Sequence, residues 1–180
     1  MRAVAAGLVM ALGLGTAAWA GPAGRQGIET RDVPGTDGDW QEGHAVIDAP
    51  IDEVRRWLTD FERWPQSFPD VQWAKVLSRS GNDRAVMKFR SSIIGRDLTL
   101  NMHWNARAIV YRGVGKNVDV QGKVLLTPLG RGRTDVVLQS TADVHGIVGA
   151  LASKATRRAR AYKKLRADLG ALQNLSRTRM

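Results

Sequence analysis

From Leu98 to Asn105 the side chains alternate without a break. Leu98, Leu100, Met102 and Trp104 fall on one face, and Thr99, Asn101, His103 and Asn105 on the other. A period of two is the pattern of a β-strand with one face in a core. Strand-like segments also run through Val71–Ser80, Ala85–Arg90, Ile109–Val114, Val118–Thr127 and Thr134–Val144, with turn signals such as "GND" and "PLGRGRTD" between them. Trp40–Asp48 alternates in part and predicts an earlier strand. Before it, the Gly-, Pro- and Asp-rich segment 21–39 reads as a flexible tether, within which Ile28–Val33 could form a short strand pairing back on the Trp40–Asp48 strand.

Two stretches follow the helical period instead. Ile51, Val54, Leu58 and Phe61 recur at helical spacing behind Pro50, whose fixed φ and missing N–H are tolerated where a helix starts. Asp52 and Glu53 suit the positive end of that helix. Thr59 with Glu62 fits a capping box for a second short helix, which Pro65 and Pro69 stop. At the other end, Gly146–Leu172 predicts a long helix, with Ile147, Leu151, Ala155, Tyr162, Leu165, Leu169 and Leu172 along one stripe. Strand, two short helices, a run of strands and a final long helix make an α+β domain with a curved antiparallel sheet of about seven strands. Because the short helices cover only one end of such a sheet, a cavity between sheet and long helix is expected.

Charge changes the picture next. The 180-residue chain has 27 Lys and Arg against 17 Asp and Glu, a formal net charge of +10. Met1–Ala20 reads as a secretory signal: Arg2, an apolar run and then Ala18-Trp19-Ala20, with Gly21 as the mature start and an uncleaved anchor helix as the alternative. The mature chain then keeps a net charge of about +9 and points to an acidic partner in the periplasm or outside the cell. Export favours an anionic membrane surface over nucleic acid. The absence of cysteine excludes a lipobox, disulfides and thiolate chemistry, so the core alone must hold the fold.

Ala49-Pro50, Glu53-Val54, Leu58-Thr59-Asp60-Phe61, Trp64-Pro65 and Phe68-Pro69 together carry a resemblance. The stretch "IDAPIDEVRRWLTDFERWPQSFPDVQWAKVL" resembles the opening of the START-like, or SRPBCC, superfamily, which includes polyketide cyclases and coenzyme Q-binding proteins. With the strand series and final helix in the same order, the resemblance covers residues 40–173. Gly95–Leu100, "GRDLTL", is similar to the start of a central strand in START lipid-transfer domains. The resemblance implies a helix-grip domain over residues 40–175, with 176–180 as a basic tail. It also implies a hydrophobic ligand, such as a lipid, sterol-like lipid or quinone, in an internal cavity. The alternative is a cyclase- or dehydratase-like enzyme acting in that cavity. No cofactor or metal is implied.

On this fold the strand register points Met87, Phe89, Leu98, Leu100, Met102, Trp104, Tyr111, Val120, Val124 and Leu138 inward as ligand-lining residues, and Gly122 leaves room among them. The polar candidates for a ligand head are Tyr111, Ser140, Arg90 and Arg112. Trp57, Phe61 and Trp64 serve either as the packed plug at one end or as ligand contacts. Ile93 and Ile94 fall at a hairpin tip, where they either form a wedge for membrane insertion beside Arg96 or tuck under the short helices. On the final helix Lys154, Arg157, Arg158, Arg160, Lys163 and Lys164 meet no acidic neighbour in sequence until Asp168, which suits docking on anionic lipid. Catalysis has less support. His103 points outward, His44 lies on the first strand and His145 on the turn into the long helix. No metal-ligand spacing or nucleophile elbow is present.

Overall fold

The computed structural model describes residues 27–130, 132–146 and 153–178. Its elements in chain order are β1 (Glu29–Asp32), β2 (Gln41–Ile47), α1 (Ile51–Thr59), a 3₁₀ turn (Phe61–Arg63), α2 (Trp64–Ser67), β3 (Val71–Ser80), β4 (Arg84–Ser91), β5 (Arg96–Trp104), β6 (Ala108–Gly115), β7 (Val118–Pro128), β8 (Thr134–Val144) and α3 (Lys154–Arg177). The sheet has eight strands in the order β1-β2-β8-β7-β6-β5-β4-β3. Every neighbouring pair is antiparallel. This is the α+β helix-grip arrangement.

The strand beyond the expected seven or so is β1. Glu29–Asp32 pairs with Gln41–His44, so within the tether-like segment the short strand expected over Ile28–Val33 forms and becomes sheet edge. Ile28 packs against the core, and the chain turns back through Thr36, whose carbonyl accepts from the Asp39 N–H. The signal-like residues 1–20 lie outside the described residues.

Pro50 occupies the N-cap position of α1, with Asp52 and Glu53 in its first turn. The helix buries Val54 and Leu58. The expected Thr59–Glu62 capping box does not form. Thr59 is still helical, and its hydroxyl donates back to the Arg55 carbonyl at 2.9 Å, while Asp60 breaks the helix before the 3₁₀ turn. A threonine that ends one helix is unavailable to cap the next.

The long helix begins later than its stripe suggests. Ser153 is extended and its hydroxyl accepts the Thr156 N–H at 3.1 Å, a side-chain cap that fixes the start at Lys154. Ile147 and Leu151 lie outside the described residues, and Ala155 is exposed rather than on the buried stripe. Leu165, Leu169 and Leu172 do seal the core, together with Ile47, Val54, Phe61, Met87, Leu98, Ile109, Leu126 and Val136. Close approach of α3 to β2 depends on Gly43. A Cβ there would stand 3.0 Å from Leu169 Cδ1 and 3.1 Å from Leu165 Cβ. The helix runs on through Arg177, so the expected basic tail from 176 is helical at its start.

Candidate functional site

A cavity of about 230 Å³ lies between the sheet and α3. Phe89, Leu98, Leu100, Met102, Tyr111, Val120, Val124 and Leu138, all expected to line it, do so. Met87 is fully buried in the core instead. Trp104 packs edge-on to Phe61, with ring centres 5.7 Å apart, and does not reach the cavity wall. Gly122 also stands apart from the wall. The register sets it opposite Tyr111, and a Cβ would come within 2.4 Å of the phenol oxygen. The room expected at Gly122 is therefore occupied by the tyrosine.

One flank of the cavity is aromatic. Trp64 stands edge-to-face with Phe61, Phe68 and Phe89 at 5.3, 5.7 and 5.8 Å. Of Trp57, Phe61 and Trp64, only Trp64 lines the cavity, and its indole N–H is buried without a hydrogen-bond partner among the described residues. Ile93 and Ile94 of the β4–β5 hairpin and Arg157 and Arg160 of the first turns of α3 also line the wall. Both isoleucines are half-buried, so they are turned toward the cavity as well as toward solvent.

The wall carries one polar cluster. Asp70 is buried at 6% exposure. Its carboxylate accepts from Ser91 Oγ at 2.6 Å and faces Lys164 Nζ at 3.3 Å. Lys164 also pairs with Asp168 one turn along α3. The Ser91 hydroxyl in turn accepts the Ile94 N–H at 3.3 Å, and the Asp70 carbonyl accepts the Ser92 N–H at 2.8 Å. The hairpin bearing Ile93 and Ile94 is thus fastened to α3 through charged hydrogen bonds.

Two carboxylates around one ammonium set the electrostatics. Burial alone would drive Lys164 toward its neutral form, but Asp168 and Asp70 outweigh it and hold its pKa above the usual lysine value. Asp168 is pushed up by burial and by the Asp70 charge, against the pull of Lys164. The Tyr111 phenol is pushed far above its usual range by burial and the Asp168 charge, against a hydrogen bond with Ser140. At neutral pH the site therefore offers a locked cation and a phenol that stays protonated.

Other candidates fall elsewhere. Arg90 pairs with Asp97 at 3.3 Å, while Arg112 lies in a separate groove of about 720 Å³ with Arg84, His103 and Lys123. Neither supplies the expected polar head contact. Among the cations expected to face a membrane, Lys164 is turned inward. Lys154 pairs with Asp39 at 3.5 Å, and Arg158 Nε donates to Asp32 at 2.8 Å. The run lacks acidic neighbours in sequence but has them in space, because β1 and its turn lie beside α3. Arg96, Arg157 and Lys163 have no ion-pair partner among the described residues, and Arg96 and Lys163 are exposed. His103 is exposed; His44 is 2.5 Å from Asp135, and His145 lies 3.4 Å from Asp119. Among the described residues no cluster of His, Asp and Glu is arranged to hold a metal ion. Asp70, Ser91 and Asp168 are the members of this polar cluster that the sequence pattern alone did not assign. The Lys164–Asp168 spacing of one turn was the available signal.

Residues 42–177 match the family model described as polyketide cyclase/dehydrase and lipid transport. The chain belongs to that family. Solved structures of similar fold include a START superfamily protein from Mycobacterium smegmatis, 16% identical over 78% of this chain and 99% of that one, with a TM-score of 0.69. The Zhui aromatase/cyclase from Streptomyces sp. R1128 is 20% identical over 84% of this chain and 96% of that one, at 0.66. A STAR-related lipid transfer protein from Xanthomonas axonopodis is 19% identical over 85% and 95%, at 0.65. No curated protein sequence matches the chain. The family thus spans carriers and enzymes on one scaffold, and these likenesses establish the fold rather than the activity.

Proposed function

We propose that the protein is an exported carrier that holds a hydrophobic small molecule or lipid in this cavity and exchanges it at an anionic membrane. The cavity carries the reading. Its walls are mainly apolar, one flank is aromatic, and half-buried Ile93 and Ile94 line it from the β4–β5 hairpin. At about 230 Å³ it falls below the usual range of roughly 300–1,000 Å³ for small-molecule sites, which favours one chain or ring system over a two-chain lipid. The net charge of +10 and the signal-like N-terminus support export and docking, with Ile93, Ile94, Arg96, Arg157 and Lys163 as the contact set.

A second reading, a cyclase-like enzyme in the same cavity, is favoured by the ordered cluster of Tyr111, Ser140, Lys164 and Asp168. General acid–base work needs a group whose pKa lies near the working pH. Lys164 and Tyr111 are both shifted away from that range, and Asp168 alone moves toward it. The cluster is better suited to holding a ligand than to moving its protons.

The test is the native mass spectrum of the exported protein before and after organic extraction. The carrier reading expects an extra mass that is lost on extraction and identified as a lipid. A bare mass, together with no response to added single-chain lipids, overturns it. For docking, Ile93→Ser with Ile94→Ser is expected to cut binding to anionic vesicles several-fold, and unchanged binding would remove the membrane part of the proposal.

A further inference from the structure

We propose that the ligand is a single-chain amphiphile bound tail first, with an anionic head, a carboxylate or a phosphate monoester, held by Arg157 and Arg160. This rests on the carrier reading and names the chemistry of its ligand.

The argument starts from which cations of α3 have partners. Lys154 and Arg158, turned toward the N-terminal segment, pair with Asp39 and Asp32. Lys164, on the cavity side, is held by Asp70 and Asp168. Arg160 and Arg157 also line the cavity, one and two turns nearer the helix start, yet neither has an ion pair or a side-chain hydrogen bond among the described residues. Arg157 is half-buried and Arg160 exposed, on a wall shared with Ile93, Ile94 and Val144. Two guanidinium groups on the rim of an apolar wall, with no side-chain carboxylate paired to them, are placed to meet the charged head of an anionic ligand.

The rest of the cavity fixes the orientation. Its far end is walled by Leu58, Ile109, Val124 and Leu138, which suit a hydrocarbon tail and no charge. Between the two ends, Asp70 and Asp168 already saturate Lys164 and repel a further anion, so a charged head stops at the arginines. The planar fork of an arginine matches both carboxylate and phosphate oxygens in paired hydrogen bonds. Thr156 and Thr141, which line the same end, add hydroxyl groups within the wall.

The experiment uses the delipidated exported protein and four probes with one chain length: dodecanoate, dodecyl phosphate, dodecanol and methyl dodecanoate, titrated at pH 8. The two anions are expected to bind about tenfold or more tightly than the two neutral probes. Arg157→Gln with Arg160→Gln is expected to erase that preference while leaving dodecanol affinity unchanged, which also shows that the variant is folded. Comparing the two anions separates a carboxylate head from a phosphate head. Affinity for both anions no greater than for dodecanol, or a preference that survives the double substitution, overturns this inference and leaves the carrier reading standing. No binding of any of the four probes counts against both.

Discussion

Along one flank of the cavity, Phe61, Trp64, Phe68 and Phe89 meet edge to face, and Phe61 and Phe68 are almost wholly withdrawn from solvent. Directly beside them, two residues beyond Phe68 and Phe89, Asp70 and Ser91 join Lys164 and Asp168 through charged hydrogen bonds. Both regions attach short elements to the sheet, but they do so by different physics. The burial of aromatic surface is non-directional, gains with the area buried, and is indifferent to pH. The charged cluster must recover a desolvation cost through geometry and remains sensitive to each partner. The proposed carrier role would use this asymmetry: the aromatic cluster holds its place by packing, while the charged cluster is held by interactions that another charge can compete with.

The largest expected effect lies at the plug. Phe61 is 0% exposed and sits between Trp64 and Trp104, with the Arg79 guanidinium 5.2 Å from its ring centre. Phe61→Ala removes most of that packing and leaves a void, at an expected cost of about 3–5 kcal/mol in urea denaturation. A loss below about 1 kcal/mol would mean the plug is loosely packed, and the contrast between the two regions would fail.

The charged cluster should respond less steeply but more selectively. Lys164→Met leaves Asp70 and Asp168 facing one another without a cation, at an expected cost of about 3 kcal/mol. Adding Asp168→Asn to that variant should recover a substantial part of the loss, because it removes one of the two uncompensated carboxylates. A double variant no more stable than the single one would show that Lys164 contributes through its hydrocarbon stem rather than through charge.

Much of this architecture can be read along the chain, and what escapes has a common cause. The period-two runs identify β3 to β8 because each strand has one wet and one dry face, so Leu98, Leu100 and Met102 mark the interior by their spacing alone. The plug motif is equally local, since its aromatics and prolines lie within Leu58–Val71. The interior charges are different. Asp70 and Lys164 are 94 residues apart, and no periodicity connects them. The basic run on α3 looked exposed because Asp32 and Asp39 are distant in sequence, although β1 brings them alongside. Gly122 shows the same limit. Alternation identifies an inward position without a side chain, but only the β6–β7 register reveals that Tyr111 fills it.

The smallest effect is also the sharpest test of how the charged cluster is held. Burial and the Asp70 charge raise the pKa of Asp168 above its usual 3.8, despite Lys164 beside it. A carboxyl raised on folding stabilises the fold in its protonated form. Its contribution is therefore fully present below the unfolded value and is lost as pH rises through the higher folded value. Asp168→Asn cannot titrate at this position, so it isolates the term. Lys164 stays charged across the whole acidic and neutral range, because its own pKa is raised, and it contributes no slope there. The stability of the native protein minus that of Asp168→Asn should fall as pH rises from below 3.8 toward neutrality, measured by urea denaturation at a series of pH values. A difference that grows with pH would mean that Lys164 dominates the carboxylate after all. The cluster would then be a simple buried ion pair, no more easily loosened than the aromatic plug beside it.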